Sequence, residues 1–168
     1  HGIAAIALTE AYGMTRDEAL REPVRKALQF SLNSQNPEEG GWRYQPRVAS
    51  DTSVTGWHLM ALKSGQLSGF VVPDECYQGV TRWLDYAQGS FGSKSSYAYL
   101  PFDIEGYEER EGRIEPGRRR ILDRWRRPSL AMTAEALLMR LYIGWDQDNP
   151  YLREGADLLL ANLPPITM

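Results

Sequence analysis

Three stretches of this chain share one plan, and a repeated plan limits what it can fold into. Small residues at Ala5, Gly56 and Ala134 are followed by a second set at Ala27, Gly79 and Gly155, each about 22 residues further on, a near-constant spacing that marks a structural repeat. The first member of each pair lies in a largely apolar run: Gly2 to Leu8, Ser53 to Leu59, and Ala131 to Leu137. A glycine follows at 13, 69 and 144, where a chain reversal is needed. A second helix then opens near Pro23, Pro73 and Pro150, because a first-turn proline loses no hydrogen bond. Asp51 and Ser129 precede two of the apolar runs and suit N-cap positions. The pattern predicts an all-α chain of about three antiparallel helical hairpins. Its helices are expected over 1–13, 21–34, 51–65, 74–88, 129–143 and 150–162.

The two helices of a hairpin differ. The second helices carry one apolar stripe, as in Tyr77, Val80, Leu84 and Ala87, or Leu152, Ala156, Leu159 and Leu163, so one face packs and the other meets water. The first helices are apolar nearly all round, as in Leu130 to Leu141. A helix apolar on every side is expected to be surrounded. This predicts inner apolar helices within outer amphipathic ones, with the small residues allowing close approach.

The length of 168 residues suits a single repeat domain. The first residue is His1, already inside an apolar run, as expected of a piece of a longer protein. Residues 89–127 break the period and read as an irregular charged insertion. Acids dominate 103–115 and bases dominate 117–127, so the two halves can neutralise each other on a surface hairpin or serve as a docking arm. Lys and Arg number 19 against 22 Asp and Glu, a net charge of −3. That excludes a generally basic nucleic-acid binder. No run approaches the ~20 apolar residues of a membrane-spanning helix. One cysteine, Cys76, excludes an intrachain disulfide and a multi-cysteine zinc site, and leaves the compartment open.

The joints between hairpins carry a second pattern. Gln35 is followed by Gly40-Gly41-Trp42-Arg43-Tyr44, and Gln88 by Ser96-Tyr97-Ala98-Tyr99. A Gln at the end of an outer helix followed by Gly-x-Trp resembles the QW repeat of squalene and oxidosqualene cyclases. The wider plan resembles the α/α-toroid superfamily of terpenoid cyclases and protein prenyltransferase β-subunits, over most of 1–163 outside 103–127. The resemblance implies a toroid fragment in which Gln35, Gly41, Trp42 and Gln88 are structural, the Gln capping a helix end and the Trp stacking at the joint. An indole supplies a large buried area and one donor, which fits that role.

The chemistry implied by the resemblance is incomplete. The squalene branch carries Asp-x-Asp-Asp-Thr-Ala, whereas this chain reads Ser50-Asp51-Thr52-Ser53-Val54-Thr55. A lone Asp51 lacks the acidic neighbours that keep a carboxyl protonated as a proton donor, and its alignment with Ser129 points to capping. The prenyltransferase zinc pattern is not reproduced around Cys76 and His58, so no metal or cofactor is expected. Polar residues within inner helices are Glu10, His58 and Glu135. Asp51, Glu135 and His58 are the weak catalytic candidates.

Three function classes follow. The first, which needs fewest assumptions, is a non-catalytic repeat module binding an apolar small molecule or a protein surface on its concave side. The second is part of a terpenoid cyclase. The third is a carbohydrate-active α/α barrel using Glu10, Asp51 or Glu135, which requires two carboxylates ~5–9.5 Å apart. For the first class the expected ligand-contacting residues are Trp57, His58, Met60, Glu135 and Met139, with Trp42, Tyr44, Tyr97 and Tyr99 at the joints. Exposed inner helices make self-association an alternative.

Overall fold

The computed structural model describes residues 1–88, 94–101 and 124–163. These form six α-helices: α1 (Gly2–Thr15), α2 (Glu18–Ser34), α3 (Thr52–Leu67), α4 (Asp74–Ala87), α5 (Leu130–Tyr142) and α6 (Pro150–Leu160). Among the described residues there are isolated β-bridges and no strand. None of these helices is long and apolar enough to cross a membrane. Most of the charged stretch 103–127 lies outside the described residues. The chain divides into two compact units, His1–Trp83 and Leu84–Met168.

In the first unit α1 packs along α3 and against α2. The small residues make this possible. Ala5, Ala27 and Ala61 form one buried cluster with Ile6 and Leu8 against it, so three helix backbones approach where a larger side chain would hold them apart. Gly65 faces Leu28 across the α2–α3 contact, and a Cβ there would lie 2.5 Å from Leu28 Cδ1. In the second unit α5 pairs with α6. Gly155 takes the corresponding role, because its missing Cβ would meet Leu137 and the Ser95 carbonyl at 2.7 Å.

The helix ends follow local chemistry. Asp51 caps α3 by accepting from Val54 N, and Ser129 caps α5 by accepting from Met132 N. Pro150 opens α6 behind the cap Asn149. Two punctuation residues act otherwise than expected. Pro23 lies inside α2, which begins earlier because Asp17 caps it. Gly13 lies inside α1, and Arg16 makes the reversal in a left-handed conformation at φ 54°. Gly13 instead allows close approach, since a Cβ would sit 2.6 Å from Ser68 Oγ.

The expectation that the first helices are surrounded is corrected. α1 buries Gly2, Ala5, Thr9 and Tyr12 while Ile3 is 64% exposed. α5 buries Thr133, Ala136, Leu137, Met139 and Arg140 but leaves Leu130, Leu138 and Leu141 exposed. Apolar composition states what a face tolerates, not which neighbour covers it.

The two joints are built alike. In the first unit Asp51 N donates to Trp42 O and Trp42 N donates to Thr55 Oγ1. In the second, Ser129 N donates to Tyr97 O and Tyr97 N donates to Thr133 Oγ1. Gln35 Nε2 donates to Gly40 O at 2.7 Å and to Cys76 O, in α4, at 3.0 Å. Gln88 Nε2 donates likewise to Lys94 O. Gly40, at φ +86°, lies against Gly79 so closely that a Cβ on Gly40 would overlap the Gly79 carbonyl, and a Cβ on Gly79 would reach 2.6 Å from Gln35 Nε2. Gly79→Ala is therefore expected to cost about 1–3 kcal/mol through overpacking. The denaturation midpoint reports it, and an unchanged midpoint would mean the Gln35 bridge yields freely.

Candidate functional site

The first joint fixes an aromatic stack. Trp42 is 1% exposed, and its Nε1 donates to Ser31 O at 2.7 Å. Gly41 allows this seat, because a Cβ there would meet Thr55 Oγ1 at 2.5 Å and Ser50 Cβ at 2.8 Å. The Trp42 ring stacks on His58, with centroids 5.2 Å apart and planes 4° from parallel. His58 Nδ1 is 3.1 Å from Ser31 Oγ. The imidazole is thus held from below by an indole and at one nitrogen by a hydroxyl. Burial pushes its pKa down to about 4, so it is neutral near pH 7.

Above this stack lies a cavity of about 370 Å³. Ile3 from α1, Phe30 and Ser34 from α2, Tyr44 and Pro46 from the joint, and Val54 and Trp57 from α3 line it, together with His1, Gly2, Arg43, Ser53 and His58. Gly2 brings α1 against α3 here, because a Cβ would lie 2.9 Å from Trp57 Cβ. The N-cap Asp51 sets where α3 starts, and so where Ser53, Val54 and Trp57 project. Its Oδ1 accepts from Val54 N at 2.8 Å and Ser53 Oγ at 2.9 Å. Its Oδ2 is 3.8 Å from Arg43 Nε. Aromatic and aliphatic side chains share the wall with His1, Ser34, Arg43, Ser53 and His58, and such a mix of apolar surface and placed polar groups suits a small-molecule site.

The expected site residues divide accordingly. Trp57, His58 and Tyr44 line the cavity, and Trp42 lies beneath His58. Met60 is half-buried and does not line it. Glu135, Met139, Tyr97 and Tyr99 belong to the second unit. Met139 is buried, Glu135 half-buried, and Tyr99 rests on the Trp125 ring at 5.5 Å. Glu10 is exposed at a shallower pocket with Ser64 and Leu67 near the end of α3. Asp51 caps the start of that helix. At ~1.5 Å per residue the two carboxylates stand on the order of 20 Å apart, too far for a glycosidase pair. Cys76 is buried and its thiol is pushed up to about 12 by desolvation, so it does not present a thiolate. Among the described residues no cluster of His, Cys, Asp and Glu is arranged to hold a metal.

Sequence reasoning missed Arg140. It lies in α5 at 1% exposure. Its Nε donates to Tyr97 Oη at 3.1 Å, and its Nη2 donates to Asp85 Oδ1 at 2.6 Å and Gln88 Oε1 at 3.2 Å. Its guanidinium lies 4.6 Å from the Trp145 ring centroid. Burial raises the Tyr97 hydroxyl pKa, with Arg140 opposing, so the phenol stays protonated near pH 7. The available signal was a single base within a largely apolar helix, which implies a buried partner. Compared with known proteins, the chain matches no family model, no curated protein and no solved structure.

Proposed function

We propose that the first unit binds a small apolar molecule in the cavity between α1, α2, α3 and the 42–46 joint, within a chain that forms a stretch of an α/α-toroid. The toroid reading, with α1, α3 and α5 as inner helices and α2, α4 and α6 as outer ones, is supported by the repeated joint. Gln35 and Gln88 both close onto a joint carbonyl, and Trp42 and Tyr97 make the same backbone bonds to the following helix. This is the arrangement that the resemblance to the squalene cyclase and prenyltransferase superfamily implies for its QW repeats.

The observation that carries the binding reading is the cavity itself. A space of about 370 Å³ bounded by Ile3, Phe30, Tyr44, Val54 and Trp57 among others offers an apolar molecule aliphatic and aromatic contact, while its stacked floor is already fixed. A preformed wall spares the ligand the cost of ordering it. The test is a fluorescence titration with a hydrophobic dye, followed by displacement with farnesol. Saturable binding is expected, and Trp57→Ala is expected to weaken it about tenfold or more, as loss of a central aromatic anchor does. Dye binding that does not saturate, or that Trp57→Ala leaves unchanged, would overturn the reading.

A second reading concerns α5. Its exposed apolar stripe of Leu130, Leu138 and Leu141 suits a protein surface, including a second copy of this chain. Sedimentation across a concentration series distinguishes it: mass that rises with concentration supports it, and a constant monomer removes it.

A further inference from the structure

We propose that the cavity selects a neutral ligand bearing one hydrogen-bonding group, an alcohol or a carbonyl, over an anionic ligand with the same apolar body, and that His58 reads that group. The inference rests on the cavity being a ligand site.

Three observations carry it. His58 is 5% exposed, yet it lines the cavity. Its Nδ1 is taken by Ser31 Oγ, which leaves Nε2 with no hydrogen-bond partner among the described residues. In a side chain that lines the cavity, that nitrogen is open to one hydrogen bond with a ligand hydroxyl or carbonyl. Second, the imidazole is neutral near pH 7 and so supplies a dipole rather than a charge. Third, Arg43, which also lines the cavity, has its Nε 3.8 Å from Asp51 Oδ2, and that carboxylate is fully buried. The acid–base pair brings no net charge to the wall. A phosphate or carboxylate placed there would give up part of its hydration and compete with the buried Asp51 for Arg43. A hydroxyl meets none of these costs, and the indole of Trp42 holds the imidazole at a fixed angle to receive it.

The test compares farnesol, farnesene and farnesyl phosphate by calorimetric titration of the unmodified chain. Farnesol is expected to bind about fivefold or more tighter than farnesene, the worth of one net hydrogen bond, and tighter than farnesyl phosphate. His58→Phe is expected to retain farnesene binding and abolish the preference for the alcohol. Ser31→Ala keeps the imidazole, releases Nδ1, and is expected to shrink the preference while binding persists. Farnesyl phosphate binding as tightly as farnesol, or a farnesol preference that survives both substitutions, would overturn the proposal and leave the apolar site standing. Failure of all three compounds to bind would instead remove the apolar site itself, and this proposal with it.

Discussion

Trp42→Ala is expected to be the most damaging single change in the first unit, costing about 3–5 kcal/mol as loss of a buried aromatic does. The side chain is 1% exposed, donates to Ser31 O and supports the His58 ring. Truncation therefore leaves a cavity, an unpaired carbonyl and an unsupported imidazole at once. Trp42→Phe separates these effects. It keeps a ring for the stack and loses the donor, which on its own is worth about 1 kcal/mol. Equilibrium denaturation in urea measures both. An alanine variant as stable as the parent would show that the joint does not depend on the indole.

The second large effect is an acid instability centred on His58. In the folded chain its pKa is about 4 against an ordinary 6.5, chiefly because burial disfavours the charged ring. As pH falls below 6.5 the unfolded chain takes up a proton that the folded chain refuses. Stability is therefore fully present above pH 6.5 and is lost progressively down to about pH 4. The shift corresponds to about 3 kcal/mol at most. Carboxylates titrate in the lower part of the same range, so the informative quantity is the difference between the parent and His58→Gln. The variant is expected to lose less stability than the parent between pH 7 and pH 4.5. Parallel pH curves would show that the imidazole gains its proton within the fold.

Much of the helix plan was legible because its signals are local. Asp51 and Ser129 precede apolar runs and do cap them. Pro150 and the glycines Gly69 and Gly144, both at positive φ, mark boundaries where they were expected. Gln35, Trp42 and Tyr97 announced the joints through their spacing. The failures lie where the deciding partner is distant in sequence. Gly13 serves Ser68 rather than a turn. Pro23 was taken for a helix start because the cap at Asp17 lay further back. Arg140 gave no local sign of Asp85 or Tyr97. The cavity was only half legible: Trp57, His58 and Tyr44 were singled out, but Ile3 is brought to it by the Gly2–Trp57 approach and Phe30 by α2, both distant in sequence from the joint. The exposure of one face of α5 is likewise set by which neighbours are present, which residue pattern along one helix does not encode.

The like-built joints have a consequence for how this chain tolerates change. Both reuse one set of backbone bonds, but they are filled differently: an indole, a hydroxyl and an imidazole in one, a phenol, a guanidinium and a carboxylate in the other. Trp42 and Tyr97 hold equivalent places without being interchangeable. A tyrosine at 42 would lack the donor that Ser31 O receives and would have no arginine to meet its hydroxyl. Residues sharing partners in this way are energetically coupled, and their effects do not add. Substitutions at each joint should therefore be tolerated as sets. A double-mutant cycle over Trp42 and His58, or over Tyr97 and Arg140, would carry a coupling term that no pairing of one residue from each joint would reproduce.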